Sequence, residues 1–220
     1  MEKLIIWDFD GVIADSEKVW LKNRLDALNK KFHLGWSFQT ISLLLGGMND
    51  KDKRKILDDL KYKTDDSFWE EVLKKDLEVI NRDGLEVFDG VEELIQKLPK
   101  KCIATGGIKS KTIIKLKVIG FWKKYFNDDN LFTVDMVKKG KPEPDLFLFA
   151  AKSMGEKPEN CIVIEDSYVG IKAAQNAGME VIAFLGSETN QNSMYLKYLK
   201  KLGVEHICYN MKEVEKVIFN

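Results

Sequence analysis

The chain has 220 residues, 45% of them apolar and 32% charged, a balance that supports one substantial core with a smaller appended unit and excludes extended disorder. Lys plus Arg and Asp plus Glu both total 35, so there is no net field to hold a polyanion, and nucleic acid is not expected as a partner. The longest apolar runs, such as Val181-Ile182-Ala183-Phe184-Leu185, are far too short to span a bilayer, and Met1-Glu2-Lys3 leads straight into an apolar segment without a leader-like stretch. No membrane association and a cytoplasmic address are therefore expected.

Taken in chain order, Lys3 to Trp7 reads as a first strand. From Ser16 to Ile80 the pattern turns helical, with Leu21, Leu25, Leu28 and Phe32 on one amphipathic face and Ser67-Phe68-Trp69-Glu70 as a capping box for a helix through Val72, Leu73, Leu77 and Ile80. Further strands are expected over Lys101 to Ala104, Cys161 to Ile164, Glu180 to Phe184 and His206 to Tyr209. Helical segments close at Gly120, Gly155 and Gly178 between them. Strands alternating with helices predict an α/β fold, a Rossmann-like parallel-sheet core with a small α-helical cap domain inserted after the first strand. Residues 1–15 and 82–220 are expected to form the core and 16–81 the cap. The three cysteines, Cys102, Cys161 and Cys208, lie in apolar runs and read as buried thiols. Neither they nor His33 and His206 have zinc-ligand spacing.

The chemistry concentrates at strand ends. Asp8-Phe9-Asp10-Gly11 directly follows the first strand, and alternation puts Asp8 and Asp10 on the same side, where ligands of parallel sheets bind. Two carboxylates so close repel unless a cation neutralises them or one is protonated, which suits a metal-assisted nucleophile with an acid/base partner. The plainer reading of Asp-x-Asp-Gly is a solvated turn. Against it stand Thr105-Gly106-Gly107, a hydroxyl and amides suited to phosphate oxygens, and Lys141, fixed between Gly140 and Pro142. Glu165-Asp166-Ser167 adds the oxygen ligands that Mg²⁺ prefers, with helix capping by Asp166 or Ser167 as the plainer alternative.

At these positions the sequence resembles the haloacid dehalogenase superfamily, in family order and over essentially the whole chain. The resemblance implies that Asp8 is the nucleophile and Asp10 the acid/base. It also implies that Thr105, Gly106 and Lys141 bind the phosphoryl group, and that Asp8, the backbone carbonyl of Asp10, Glu165 and Asp166 hold Mg²⁺. Asp15-Ser16, Gly-Lys-Pro-x-Pro-Asp and Glu-Asp-Ser with downstream Gly170 and Ala173-Ala174 are similar to the helical-cap branch, which includes sugar-phosphate phosphatases and beta-phosphoglucomutases. Two positions depart from that branch: Gly106 stands where Asn is common, and Trp20 where the mutases carry a histidine.

The expected function is thus a Mg²⁺-dependent phosphatase acting on a small phosphorylated metabolite through an aspartyl phosphate, with no partner chain required. A phosphosugar mutase is the alternative with the same core, and a non-catalytic phosphate-binding module the alternative of another class. Dehalogenation would leave Asp10 and the Glu165/Asp166 pair without a role. In the insert, hinges are expected near Ala14 to Ser16 and Asn81 to Gly84. Substrate choice is expected at Leu45-Gly46-Gly47-Met48-Asn49-Asp50. Lys51, Lys53, Arg54 and Lys55 read as a solvated face. The aromatics Trp20, Trp36, Phe38, Phe68 and Trp69 read as cap core.

Overall fold

The computed structural model describes residues 2–45, 50–187, 190–191 and 193–220. In chain order these form β1 (Leu4–Trp7), α1 (Ser16–Phe32), α2 (Phe38–Leu45), α3 (Asp50–Asp59), α4 (Asp66–Asp83), α5 (Val91–Lys97), β2 (Lys101–Thr105) and α6 (Lys109–Val118). There follow β3 (Leu131–Thr133), α7 (Asp145–Ser153), β4 (Cys161–Glu165), α8 (Tyr168–Asn176), β5 (Glu180–Phe184), α9 (Ser193–Lys201), β6 (His206–Cys208) and α10 (Met211–Phe219). The proposed specificity loop centred on Gly46 to Asn49 lies outside the described residues.

Two compact units divide the chain, Met1–Asp15 with Leu85–Asn220, and Ser16–Gly84. In the first, the strands form one sheet in the order β3-β2-β1-β4-β5-β6, every pairing parallel. Such a sheet needs both faces covered, and β1 shows it: Leu4 and Ile6 enter one apolar cluster, Ile5 and Trp7 the other. Chain order runs outward from β1 to β2 and β3, then returns to β4 on its other side. That reversal opens a crevice beyond the carboxyl ends of the central strands. β3 is the strand that sequence periodicity does not reveal, being three residues long behind the turn Asn127-Asp128-Asp129-Asn130.

The second unit is helical, with its own core of Leu21, Leu28, Ile41, Leu45, Leu57, Phe68, Trp69 and Val72. Trp36 and Phe38 pack against it, whereas Trp20 stands outside it, only half-buried. The start of α4 differs from the expected capping box. Asp65 rather than Ser67 caps it, its carboxylate accepting from the Phe68 amide (2.9 Å), and the Ser67 hydroxyl donates to the same carboxylate. An anionic oxygen satisfies an exposed helix-start amide better than a hydroxyl does. Lys53 also departs from the expected solvated face. It is buried, with Glu17 at 3.9 Å. A buried polar pair of contacts ties α1 to α4, where Asn23 and Arg24 both donate to Asp76 (2.8 and 3.0 Å). Among the described residues no helix is long and apolar enough to cross a membrane.

Candidate functional site

Parallel register explains why distant sequence motifs meet. Trp7 pairs with Ile103 on one side and Ile164 on the other, so the residues that follow β1, β2 and β4 emerge side by side. The Asp8 amide donates to the Ile164 carbonyl (3.0 Å), carrying the pairing one residue past the strand. This fixes Asp8 beside Glu165, the last residue of β4, and both are buried.

Asp8, Glu165 and Asp166 each offer an oxygen within 4.8 Å of the others. Lys141 reaches them from the loop before α7. Its Nζ donates to Asp8 Oδ1 (2.7 Å) and Glu165 Oε1 (2.7 Å) while standing 4.9 Å from the Phe147 ring centroid. Two of the three carboxylates, Asp8 and Glu165, therefore share one ammonium in a desolvated place. Burial pushes the Asp8 carboxyl up to about 7, against the pull of Lys141 and with the help of repulsion from Glu165 and Asp10. For Lys141, burial works against the charge, but attraction to Asp8 and Glu165 outweighs it and holds the ammonium above the ordinary lysine range. Hard oxygen donors carrying more negative charge than one lysine neutralises are the donor set of a divalent cation such as Mg²⁺, so these residues fit that ion.

Two glycines make the acidic cluster sterically possible. A Cβ on Gly170 would stand 1.7 Å from Glu165 Oε1, and one on Gly11, whose φ is +81°, would stand 2.0 Å from Asp166 Oδ2. Glu165 is also gripped by the Ser167 amide (2.7 Å) and hydroxyl (3.0 Å). That same hydroxyl accepts from the Gly170 amide (3.1 Å) and caps α8. Capping thus falls to Ser167, leaving Asp166 to the site. Gly170→Ala should evict Glu165 from this seat. The expected result is a Mg²⁺ affinity lowered by roughly 10- to 100-fold, the usual effect of disturbing a ligand's support, read by calorimetric titration. Unchanged Mg²⁺ affinity would show that Glu165 is not needed for the metal.

Thr105 ends β2 buried, its Oγ accepting from the Gly107 amide (3.2 Å), while Gly106 is exposed and faces open space. The Asp10 carboxylate does not join the three-carboxylate cluster. Lys115 of α6 donates to both of its oxygens (2.7 and 2.6 Å). Sequence reading missed Lys115, since it stands among Lys109, Lys111 and Lys117 in a helix that looks solvated on that face. It also missed two residues beyond β5. Asn190 donates to Asp166 Oδ2 (2.8 Å), and the Tyr195 hydroxyl donates to the Asp166 carbonyl (2.6 Å). No spacing in the sequence marks either.

Residues 5–184 match the model of a family described as haloacid dehalogenase-like hydrolase. The phosphorylated carbohydrates phosphatase of Thermotoga maritima is 26% identical over 189 residues, covering 81% of this chain and 82% of that protein. The fructose-1-phosphate phosphatase of Escherichia coli is 28% identical over 180 residues, covering 81% and 94% respectively. The crystal structure of a conserved haloacid dehalogenase-like protein from Agrobacterium tumefaciens, of unknown function, superposes with a TM-score of 0.76 at 27% identity, over 99% of this chain and 98% of that one.

Proposed function

The chain belongs to the haloacid dehalogenase-like hydrolase family, and we propose that within it this protein is a Mg²⁺-dependent phosphatase of small phosphate monoesters, sugar phosphates in the first instance. The observation that carries the reading is Asp8 itself, a buried carboxylate at the end of the central strand, beside one fixed ammonium and two further carboxylates. An anionic nucleophile can approach an anionic ester only where positive charge is gathered first. In this reading Lys141 supplies part of it, and Asp8, Glu165, Asp166 and the Asp10 carbonyl would hold Mg²⁺. Bound Mg²⁺ supplies the remaining neutralisation of the phosphoryl oxygens.

Asp8 attacks phosphorus to form the aspartyl phosphate, while Thr105 and the amide of Gly106 orient the phosphoryl oxygens. Asp10 donates a proton to the departing alcohol oxygen and then takes one from the water that hydrolyses the acyl phosphate. The helical unit is the cap that selects the alcohol. Water is the acceptor rather than a second sugar hydroxyl, since Gly106 has no side chain to grip a bisphosphate and the Trp20 indole, a donor that cannot accept a proton, cannot relay one as a histidine does. Two relatives named as phosphatases of phosphorylated carbohydrates and of fructose 1-phosphate support the choice of substrate class.

A phosphate-release screen across sugar phosphates, nucleotides and phosphorylated acids, run with Mg²⁺ and after exhaustive chelation, tests this. Release confined to the Mg²⁺-loaded protein and strongest on sugar phosphates is expected. Undiminished release after chelation would overturn the metal assignment, and a phosphosugar isomer accumulating ahead of phosphate would overturn the acceptor.

A further inference from the structure

Each aspartate of the Asp8-Phe9-Asp10 segment has its own buried lysine. Lys141 is paired with Asp8, as described, and Lys115 with Asp10. The Lys115 side chain is only 5% exposed and that of Asp10 32%, so the ammonium lies inside and the carboxylate on the open side. The grip is two-handed from a single nitrogen, 2.7 Å to one oxygen and 2.6 Å to the other, and Nζ also stands 4.4 Å from the centroid of the Phe9 ring. Phe9 is fully buried, so the ammonium has a rigid floor.

Stability does not account for such a pair. Taking an ammonium out of water is expensive, and replacing a buried ion pair with apolar side chains of the same volume is often neutral or stabilising. What the pair does provide is a fixed place for a short carboxylate that would otherwise turn about two bonds. Proton transfer to a leaving oxygen depends steeply on that placement.

We propose that Lys115 is the positioning residue of Asp10: it holds the ionised carboxylate at the open side of the site, where one oxygen, once released from the ammonium, takes a proton from solvent and passes it to the leaving alcohol oxygen, while the other oxygen stays on Lys115. This rests on the phosphatase reading given above. Its signature is a dependence on the leaving group. p-Nitrophenolate departs without a proton, whereas an alkoxide does not.

The test compares kcat/KM for p-nitrophenyl phosphate and for an alkyl phosphate in wild type, Lys115→Met, Asp10→Asn and the double variant. Lys115→Met should lose about 10- to 100-fold on the alkyl ester and less than about 3-fold on the nitrophenyl ester. Asp10→Asn should show the same split with a loss on the order of 10²- to 10⁴-fold, and the double variant should be no slower than Asp10→Asn alone. Lys115→Arg keeps a cation and should recover part of the alkyl-ester rate, which also covers the case in which the methionine variant does not fold. Equal losses on both esters, or losses that multiply in the double variant, would overturn the positioning role while leaving the phosphatase reading intact. A wild type that releases phosphate from neither ester would overturn that reading and this inference with it.

Discussion

Asp8→Asn should abolish phosphate release and at the same time make the metal-free protein more heat-stable at pH 8. The first effect follows because an amide nitrogen or oxygen cannot replace the attacking carboxylate. The second follows from where the carboxylate sits. Burial, then repulsion from Glu165 and Asp10, raise Asp8 from 3.8 to about 7 despite Lys141. A carboxyl raised in this way binds its proton more tightly folded than unfolded. Its stabilising contribution is complete below 3.8 and is lost as pH rises through about 7. Above that the fold carries a buried anion, which the neutral amide removes while Lys141 keeps Glu165 as a partner. A gain of roughly 1–3 kcal/mol, or about 2–10 °C in Tm, is expected at pH 8, and little or none at pH 4. Saturating Mg²⁺ should narrow the pH 8 difference. Calorimetry at the two pH values reads this, and a Tm difference that does not change with pH would contradict the account of Asp8. Such a gain on loss of function is the mark of a site whose charges are arranged for chemistry at the expense of the fold.

Lys141→Met should do the opposite to stability and the same to rate. Its ammonium is the common partner of Asp8 and Glu165, both buried, and removing one member of a buried ionic group leaves the others uncompensated. The expected loss is about 3–5 kcal/mol in a urea titration of the metal-free protein. Phosphate release should fall by roughly 10³-fold or more, since the charge opposite the reacting oxygens goes with it. Lys141→Arg should not restore the rate, because a planar fork cannot reproduce one nitrogen 2.7 Å from each of two carboxylates. Mg²⁺ should return part of the stability and little of the rate. A Lys141→Met protein as stable as wild type without metal would show that the three carboxylates do not share the burial described.

What the sequence conveys about this molecule divides along physical lines. β1, β2, β4 and β5 are readable because a doubly covered parallel strand must be a continuous apolar run, and the residues placed after those runs are the ones that meet in the crevice. β3 goes unread because Leu131-Phe132-Thr133 directly follows the turn Asn127 to Asn130; length alone is not the reason, since β6 is equally short and is expected over His206 to Tyr209. The start of α4 shifts to Asp65 because cap choice depends on which oxygen reaches the Phe68 amide, a matter of local geometry. Lys53 and Lys115 both look like surface lysines, since burial of a long side chain is decided by what neighbouring elements leave open. Asn190 and Tyr195 come to Asp166 from beyond β5, a contact that follows from strand order and leaves no local mark. Gly11 and Gly170 are visible as glycines, but the reason for them, the closeness of Asp166 and Glu165, appears only in three dimensions.

The claim on which everything else depends is that Asp8 becomes phosphorylated during turnover. Wild-type protein mixed with Mg²⁺ and a sugar phosphate, quenched in acid and reduced with borohydride, converts an aspartyl phosphate into homoserine, which peptide mass spectrometry locates. Homoserine at position 8, dependent on substrate and absent when Mg²⁺ is withheld, is the predicted result. Sustained phosphate release with position 8 unreduced, or with the adduct on another residue, would contradict it.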